Sequence, residues 1–158
     1  MIRIGHAWDT HKLQKGRKLY LGGVLFESEI GLLGHSDADV VLHAVAESLL
    51  GALALGDLGK FYPDNSDSTL NMDSKIILKE CYERILKLGY KINNLDLTIY
   101  AEYIKISPKR ELIKESIAKL LNINIDQVSV KATTWEKMGF VGRGEAMACE
   151  CVCLVSND

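Results

Sequence analysis

The order of helical and strand-like patterns along the chain is the feature that most constrains its fold. Alternating apolar residues predict strands over residues 1–7, 18–27, 95–103, 128–134 and 146–155. Apolar stripes of helical period predict three helices, over about residues 36–55, 73–88 and 107–121. A charged loop is expected over residues 12–17. Strands that come singly or in pairs between helices indicate an α+β fold, so we expect a mixed β-sheet with three helices on one face and a ferredoxin-like core.

The length of 158 residues fits a single domain covering residues 1–158. A net charge of -2 argues against a nucleic-acid partner. Because no uncharged apolar run reaches the length of a membrane-spanning helix, no membrane partner is expected either. Nothing before the first strand resembles a targeting peptide. We therefore expect a cytoplasmic protein, or one of a plastid-type organelle if a transit peptide is missing from this sequence.

Three of the four cysteines alternate along the last predicted strand. Cys149, Cys151 and Cys153 would share one face of that strand, whereas Cys81 lies alone in the second predicted helix. We interpret the three as small apolar residues that pack in a reducing compartment. A thiolate metal site is the alternative, although strand neighbours two apart suit packing better than closing around one ion.

All four histidines lie within the first 43 residues. Asp9 and His11 are two apart, so in a strand their side chains lie on one side, and His43 lies in the apolar run of the first predicted helix. Two histidines and one carboxylate form a three-ligand zinc set whose fourth position is open to water or substrate. The alternative is that these are ordinary polar residues at a strand end and on a helix.

Asp39 precedes His43 by four residues, which places both on one face of the predicted helix. The carboxylate of Asp39 could therefore orient the imidazole of His43. Alternatively, Asp39 only interacts favourably with the positive end of the helix dipole. Ser36 or Asp37 is the expected N-cap.

Polar segments follow two of the predicted elements. Residues 56–71, which contain glycine and proline, form the least structured stretch and are expected to be a functional loop. Thr133, Thr134 and Glu136 follow a strand near the C-terminus. Hydroxyls and main-chain N–H groups there can hold phosphate oxygens, and Glu136 could hold a hard cation such as Mg²⁺. Strand propensity is the alternative explanation of the two threonines.

Six motifs in one order, spread from the first strand to the last, resemble the 2-C-methyl-D-erythritol 2,4-cyclodiphosphate synthase family. They are Arg3-Ile4-Gly5-His6 with Asp9 and His11, Gly34-His35-Ser36-Asp37-Ala38-Asp39-Val40 with His43, Leu55-Gly56-Asp57-Leu58-Gly59, Tyr62-Pro63-Asp64, Lys131-Ala132-Thr133-Thr134 with Glu136, and Gly139-Phe140-Val141-Gly142-Arg143-Gly144-Glu145. Any one motif is weak, but the ordered combination is specific.

This resemblance implies a lyase of non-mevalonate isoprenoid precursor synthesis. The family converts 4-diphosphocytidyl-2-C-methyl-D-erythritol 2-phosphate to 2-C-methyl-D-erythritol 2,4-cyclodiphosphate and releases CMP. The nucleophile would be a phosphate oxygen that is already ionised at neutral pH, so no general base is required. Correct positioning of the substrate can contribute on the order of 7–11 kcal/mol. Metal ions would neutralise the charge that develops on the phosphorus oxygens.

The resemblance also implies the metal ligands. Asp9, His11 and His43 match residues that would hold one Zn²⁺ per subunit. Glu136 matches a residue that would hold Mg²⁺ or Mn²⁺. Two cations would explain how a chain of net charge -2 binds a polyanion.

Matching positions further imply the catalytic and substrate-binding residues. His35 and Thr134 would hold and stabilise the transition state. Residues 57–59 would bind the methylerythritol part, residues 62–66 would form a mobile flap, and residues 101–107 would form the cytosine pocket. The substrate-binding residues implied in this way are Asp9, Thr10, His11, His35, Ser36, Asp57, Leu58, Gly59, Tyr62, Pro63, Asp64, Asn65, Ser66, Ala101, Lys105, Ile106, Ser107, Thr133, Thr134, Trp135, Glu136, Phe140 and Arg143.

The family is homotrimeric, and each of its active sites is built between neighbouring chains. Arg143 and Glu150 match residues that line a central cavity, which in the family can hold an isoprenoid diphosphate. Two features depart from the commoner pattern, the bulky Trp135 and the segment Glu102-Tyr103-Ile104. These departures affect the expected cytosine pocket and not the metal ligands.

Two other functions are compatible with the residues. A zinc-dependent phosphoester hydrolase could use the open metal position to activate water, but no carboxylate base is evident beside the metal ligands. A zinc-containing oligomeric isoprenoid-binding protein would use the metal as a structural element, and such a site would be closed by a fourth protein ligand. Release of CMP without uptake of water would separate the synthase from the hydrolase.

Overall fold

The computed structural model describes residues 1–63, 65, 67 and 72–157 of the chain. Its strands are β1 (Ile2–Lys15), β2 (Leu19–Leu21), β3 (Val24–Phe26), β4 (Ile30–Leu32), β5 (Lys91–Tyr100), β6 (Val128–Thr133) and β7 (Ala146–Ser156). Its α-helices are α1 (Val40–Ala52), α2 (Leu58–Phe61), α3 (Ser74–Lys87), α4 (Arg110–Leu121) and α5 (Gly139–Gly142), with 3₁₀ turns at Ser107–Lys109 and Ile125–Gln127. None of the helices in these ranges is long and apolar enough to cross a membrane.

Five of the strands form one mixed sheet in the order β4-β1-β7-β5-β6, and β2 and β3 form a separate hairpin. β7 runs antiparallel to both β1 and β5, whereas β5 and β6 are parallel. The α+β class and the mixed sheet expected from the sequence are therefore confirmed. The pairing of β1 with β7 extends from Ile2 opposite Ser156 to Lys12 opposite Ala146, so β1 is held along nearly its whole length.

The expected ferredoxin-like core is not what the structure shows. That core has the chain order βαββαβ, with two strands in succession between its helices. Here α4 lies between β5 and β6. The helix returns the chain to the same end of the sheet, so these two strands lie side by side and parallel. The last strand, β7, then inserts between β1 and β5.

Residues 12–15, predicted as part of a charged loop, instead continue β1. Leu13 pairs with Leu32 of β4, and Lys12 pairs with Ala146 of β7. Because partners on both sides satisfy the backbone hydrogen bonds, the charged side chains do not end the strand. The chain turns only at Gly16, whose φ of 80° suits glycine.

The three long helices α1, α3 and α4 lie on one face of the sheet, as predicted. α1 contacts β1 and β7, α4 contacts β6, and α3 packs against both helices. α1 approaches β1 closely at Gly5, where a Cβ atom would lie 1.9 Å from the carbonyl oxygen of Ser48. The absence of a side chain at Gly5 therefore allows the close approach of β1, which carries His11, to α1, which carries His43.

The three alternating cysteines of β7 face α1 in the core. Cys149, Cys151 and Cys153 are fully buried, and Ser48 donates a hydrogen bond to the Cys151 sulfur at 3.4 Å. Burial raises the pKa of the Cys151 thiol to about 12, so it stays protonated. Among the described side chains, no cysteine belongs to a cluster that could hold a metal ion. The packing role predicted for these residues is therefore confirmed.

The other face of the sheet carries none of the three long helices. β1 directs Ile2, Ile4 and Trp8 to this face, and they are 65%, 68% and 40% exposed. Apolar side chains exposed in one row on a sheet indicate a surface for contact with another protein chain. We call this surface, formed by the outward side chains of β1, β7, β5 and β6, the open face.

Candidate active site

Asp9 and His11 lie on the helix side of β1, and His43 faces them from α1. Nε2 of His11 is 3.0 Å from Oδ2 of Asp9 and 3.2 Å from Nδ1 of His43, and the same oxygen is 3.3 Å from Nδ1 of His43. Ligands bound at about 2.0–2.1 Å to a tetrahedral zinc ion lie about 3.3 Å from one another. The three atoms therefore have the spacing of one face of such an ion, and this metal triad is the one cluster of its kind among the described residues.

Each histidine of the metal triad is held by its other ring nitrogen. Nδ1 of His11 lies 3.0 Å from the carbonyl oxygen of Leu33, an acceptor, so this nitrogen carries the proton. Nε2 of His43 lies 2.8 Å from the hydroxyl of Ser74 and 3.3 Å from that of Ser36. Second contacts of this kind fix the tautomer and ring orientation of metal-binding histidines. The nitrogens that would bind a metal then point at the shared centre of the triad.

Asp39 does not orient His43, contrary to one of the two interpretations of their spacing. It is the N-cap of α1, and its carboxylate accepts hydrogen bonds from the N–H groups of Val41 and Leu42. It also accepts bonds from the N–H groups of Gly22 and Gly23, at 2.9 and 2.7 Å. An N-cap residue has non-helical backbone, so its side chain turns back to the helix end. The prediction that Ser36 or Asp37 is the N-cap is therefore wrong, and Asp39 is the N-cap of α1.

The metal triad is electrostatically coupled before any ion binds. Burial acts to raise the pKa of Asp9, but hydrogen bonds and charge from His11 and His43 lower it to about 2. Burial acts to lower the pKa of His11, but its hydrogen bond and attraction to Asp9 raise it above 6.5. In the absence of metal, the carboxylate is therefore ionised and stabilises a proton on its neighbouring imidazole.

A cavity of about 220 Å³ opens beside the metal triad. Its lining residues are Asp9, His11, His35, Ser36, His43, Glu47, Leu58, Gly59, Tyr62 and Ile77. The structure thus brings together the sequence-predicted residues of the first strand, the His35 segment and the loop after α1. The neighbouring Asp57 is the N-cap of α2 and accepts a hydrogen bond from the N–H group of Lys60 at 3.0 Å. Asp64 and Ser66 lie outside the described residues.

The remaining predicted residues do not line this cavity. Trp8 points to the open face, away from Asp9, and its ring lies 4.8 Å from that of Tyr100 and 6.1 Å from that of Trp135. The rings of Trp135 and Phe140 are 5.1 Å apart. Trp135, in the segment that follows β6, therefore packs on the open face, and neither Thr134 nor Glu136 of that segment lines the cavity beside the metal triad.

We call residues 133–137 the β6 loop. Glu136 and Lys137 have φ values of 51° and 65°, a region that non-glycine residues rarely adopt. The carboxylate of Glu102 accepts hydrogen bonds from the N–H groups of Trp135 and Lys137, at 3.0 and 3.1 Å. The expected cytosine segment, residues 101–107, thus contacts the β6 loop directly. Part of that segment, Ala101 to Ile104, lines a separate cavity of about 220 Å³.

The residues expected near a central cavity form two separate groups. Arg143 is exposed and pairs with Glu145 at 2.7 Å, not with Glu150. Glu150 instead accepts a hydrogen bond from Tyr100 at 2.7 Å and lies 2.9 Å from Nε2 of His6. Thr10 and Phe140 line a third cavity beside Glu145. All of these side chains lie on or beside the open face.

Three residues of these sites were given no functional role on the basis of the sequence. Ser74 contacts His43, although its position at the start of the second predicted helix indicated only a cap. Glu47 lines the cavity one helical turn after His43, a spacing that could have indicated it. Glu102 stood out only as a departure from the pattern of a family. The contacts of Ser74 with His43 and of Glu102 with the segment after β6 join distant segments, which spacing does not reveal.

Sequence comparisons find relatives over nearly the whole length of the chain. A model described as the YgbB family matches residues 2–156. Curated proteins named 2-C-methyl-D-erythritol 2,4-cyclodiphosphate synthase are 48% identical in Haemophilus ducreyi and 50% identical in a Geobacillus species, each over 157 residues. The two alignments cover 99% of this chain and 98% and 99% of the relatives.

Solved structures show the same similarity in three dimensions. The bifunctional IspDF from Campylobacter jejuni superposes with a TM-score of 0.95 at 35% identity, covering 98% of this chain and 42% of that one. IspF from Plasmodium falciparum in complex with CDP superposes with a TM-score of 0.86 at 37% identity, covering 98% of this chain and 95% of that one.

Proposed function

We propose, because the chain belongs to the YgbB family, that it is a CMP-releasing cyclodiphosphate synthase of isoprenoid precursor synthesis. Its reaction would join the 2-phosphate of 4-diphosphocytidyl-2-C-methyl-D-erythritol 2-phosphate to the β-phosphorus of its own diphosphate. The new P–O bond closes the ring as the bond to CMP breaks, and CMP leaves with that bridging oxygen. The metal triad, open on one side to a cavity lined by His35 and Ser36, is the observation that carries this proposal.

Asp9, His11 and His43 would hold Zn²⁺, one ion per subunit, which acts as a Lewis acid on a phosphate oxygen. Glu136 would hold Mg²⁺ or Mn²⁺, because its exposed carboxylate is the hard oxygen ligand that these ions prefer. Among the described residues, no fourth side chain joins the metal triad. This supports an open, catalytic site over the closed structural site that a zinc-containing isoprenoid-binding protein would need.

The site would be completed by a neighbouring chain in a homotrimer. The cavity beside the metal triad, at about 220 Å³, is smaller than typical pockets for drug-sized ligands, which measure about 300–1,000 Å³. Thr134 and Glu136 do not line this cavity, and Trp135 between them packs on the open face, so they would serve a neighbour's metal triad. The exposed Ile2, Ile4 and Trp8 of the open face support burial against such a neighbour.

The substrate would then span two chains. Residues 57–59 and His35 of one chain would hold the methylerythritol part, while the cytosine segment 101–107 and the β6 loop of the next would hold the nucleotide. Transition-state stabilisation would come from His35 and Thr134, brought together only in the assembly. Around the trimer axis, Arg143 and Glu150 would line a cavity able to take an isoprenoid diphosphate. The bacterial relatives support a cytoplasmic location.

A zinc-dependent phosphoester hydrolase is the second candidate, and Glu47 is the observation that favours it. Burial, together with the charges of Asp9 and Asp57, raises its pKa. A carboxylate of raised pKa in the cavity beside the metal triad could act as a general base toward water. The substrate therefore has to be tested in ¹⁸O-labelled water.

The purified chain, loaded with zinc and magnesium, should convert the substrate to CMP and a cyclic diphosphate, as followed by ³¹P NMR. Neither product should contain ¹⁸O from the solvent. Label in a linear product would favour the hydrolase. Absence of turnover, despite bound zinc and a trimer in solution, would contradict the synthase proposal.

A further inference from the structure

Two side chains outside the metal triad, those of Ser74 and Asp37, form a chain of hydrogen bonds that ends at the imidazole of His43. The hydroxyl of Ser74, at the start of α3, lies 2.8 Å from Nε2 of His43. The same hydroxyl donates a hydrogen bond to Oδ1 of Asp37. Asp37 lies in the loop before α1, so three segments of the chain meet behind one imidazole ring.

The directions of these bonds follow from the position of the ring. Nδ1 of His43 faces Asp9 and His11, and a metal-binding nitrogen has no proton. Nε2 must then carry the proton and donate it to Ser74, which donates in turn to the carboxylate of Asp37. The hydroxyl of Ser36 is a poorer acceptor for this proton, because it lies at 3.3 Å and already accepts a bond from the N–H group of Ala38.

The serine at the centre of this chain of bonds is fixed rather than mobile. Ser74 is fully buried. Its own N–H group donates to Oδ2 of Asp37 at 3.2 Å, so both oxygens of that carboxylate bind one residue. Asp37 also accepts a bond from the N–H group of Asp39 at 3.1 Å. The hydroxyl of Ser74 is thereby held at one place and in one orientation.

The two histidines of the metal triad differ in how they are held. His11 binds a main-chain carbonyl, that of Leu33, which no substitution removes. His43 depends on two side chains, Ser74 and Asp37. We infer that Ser74, oriented by Asp37, is a positioning residue that fixes the tautomer and direction of His43 for metal binding. This inference rests on the proposed function, because it takes the metal triad to be the zinc site.

Zinc affinity, measured by competition with a chelator, tests the inference without reference to turnover. Loss of such a second contact typically weakens metal binding about 10–100-fold, so Ser74→Ala should lose zinc affinity by that factor. Ser74→Thr keeps the hydroxyl and should retain more affinity than Ser74→Ala. Ser48→Ala is the matched control, because Ser48 is a fully buried serine that bonds Val45 and Cys151, away from the metal triad. It should bind zinc as the unchanged chain does.

Asp37→Asn provides a second measurement in case Ser74→Ala does not fold. It removes the charge that orients the hydroxyl while keeping the size of the side chain, so a smaller loss, of several-fold, is expected. In the cobalt-loaded protein, both variants should alter the visible absorption bands that report ligand geometry, and Ser48→Ala should not.

The outcomes separate the two proposals. Zinc binding by the unchanged chain together with equal affinity in the Ser74→Ala and Asp37→Asn variants would overturn the positioning role and leave the synthase proposal standing. Failure of the unchanged chain to bind zinc would overturn the metal assignment and the positioning role together. Loss of affinity in Ser48→Ala to the same extent as in Ser74→Ala would also overturn the role, because the effect would then be one of general stability.

Discussion

The metal triad and the β6 loop are two parts of one proposed active site, yet they are built differently. The triad side chains Asp9, His11 and His43 are only 24%, 20% and 12% exposed, and they stand on the longest strand and the buried helix α1. The β6 loop is largely exposed and contains two residues in the left-handed region of backbone conformation. The first part is preorganised within one chain, whereas the second depends on a few contacts at the surface.

Those few contacts are strong enough to hold the loop. Left-handed backbone costs roughly 1–2 kcal/mol for each of the two non-glycine residues. Each hydrogen bond from a main-chain N–H group to the Glu102 carboxylate contributes about 1.5–3 kcal/mol. The backbone strain and the free energy of the two hydrogen bonds are of similar size. Glu102 can therefore offset the strain, but little net stabilisation of the loop remains. A loop so balanced can adjust when a neighbouring chain or a ligand approaches, which the metal triad does not need to do.

The largest effect should follow from removing a side chain of the metal triad. His43→Ala should lower turnover by at least about 10²–10³-fold, because charge on the reacting phosphate is then no longer neutralised. Zinc content by elemental analysis should fall, while light scattering should still show a trimer. His6→Ala is the control, since His6 lies on the open face and should leave zinc bound. An active, zinc-free His43→Ala variant would contradict the role of the metal triad.

The second largest effect should follow from removing the side chain that holds the β6 loop. Glu102→Ala removes both acceptors of the β6 loop, and displacement of a positioning group by about 1 Å can cost about 10²-fold in rate. We therefore expect kcat/KM to fall by up to about 10²-fold with zinc content unchanged. Glu102→Gln keeps one oxygen acceptor, so its kcat/KM should lie between those of Glu102→Ala and the unchanged chain. Loss of zinc in Glu102→Ala would show that the two regions are not independent.

The contrast between the two regions also explains what could be predicted from the sequence. The pair of Asp9 and His11 was predictable because the period of a strand places both side chains on one face, whereas the addition of His43 depended on its residue type and on the resemblance to the family. Asp39 shows the limit of that reasoning, since its spacing from His43 is right but its backbone lies outside the helix. The support from Ser74 was not predictable, because a serine at the start of a helix indicates only a cap and only the folded chain brings it to His43.

The fold was predictable to the same extent. Helix positions and the mixed sheet followed from local patterns. The position of β7 between β1 and β5 did not, because the order of strands in a sheet depends on long-range pairing. That order separates β1, which carries two of the metal triad, from the β6 loop at the far edge of the sheet. Spacing alone did not show this separation, and only the resemblance to the family implied a site built between neighbouring chains.

A third effect concerns the magnesium requirement. Glu136→Gln keeps the shape of the side chain but removes the charge that would hold the ion, so the magnesium concentration at half-maximal rate should rise about tenfold, or about 1.4 kcal/mol. Zinc content should not change, because Glu136 belongs neither to the metal triad nor to the lining of the cavity beside it. An unchanged magnesium titration would refute the assignment of Glu136.

The smallest effect is expected in the pH dependence of stability, and its sign depends on the metal. In the zinc-free chain, the raised pKa of His11 gives stability that is complete below pH 6.5 and lost as pH rises through that pKa. The lowered pKa of Asp9 gives stability that is complete above 3.8 and lost as pH falls toward about 2. Zinc requires neutral imidazoles, so the zinc-loaded chain should instead gain stability as pH rises toward 6.5 and keep it above that value.

Urea unfolding of both forms over about pH 5.5 to 8.5 measures this difference. The two curves should diverge with rising pH, and Asp9→Asn should flatten the curve of the zinc-free form because the imidazole of His11 loses its charged partner. His6→Ala should leave the divergence unchanged. Parallel curves would mean that no proton is shared between Asp9 and His11 before metal binding. The triad would then be set by packing of β1 on α1 alone, and its preorganisation would not be electrostatic.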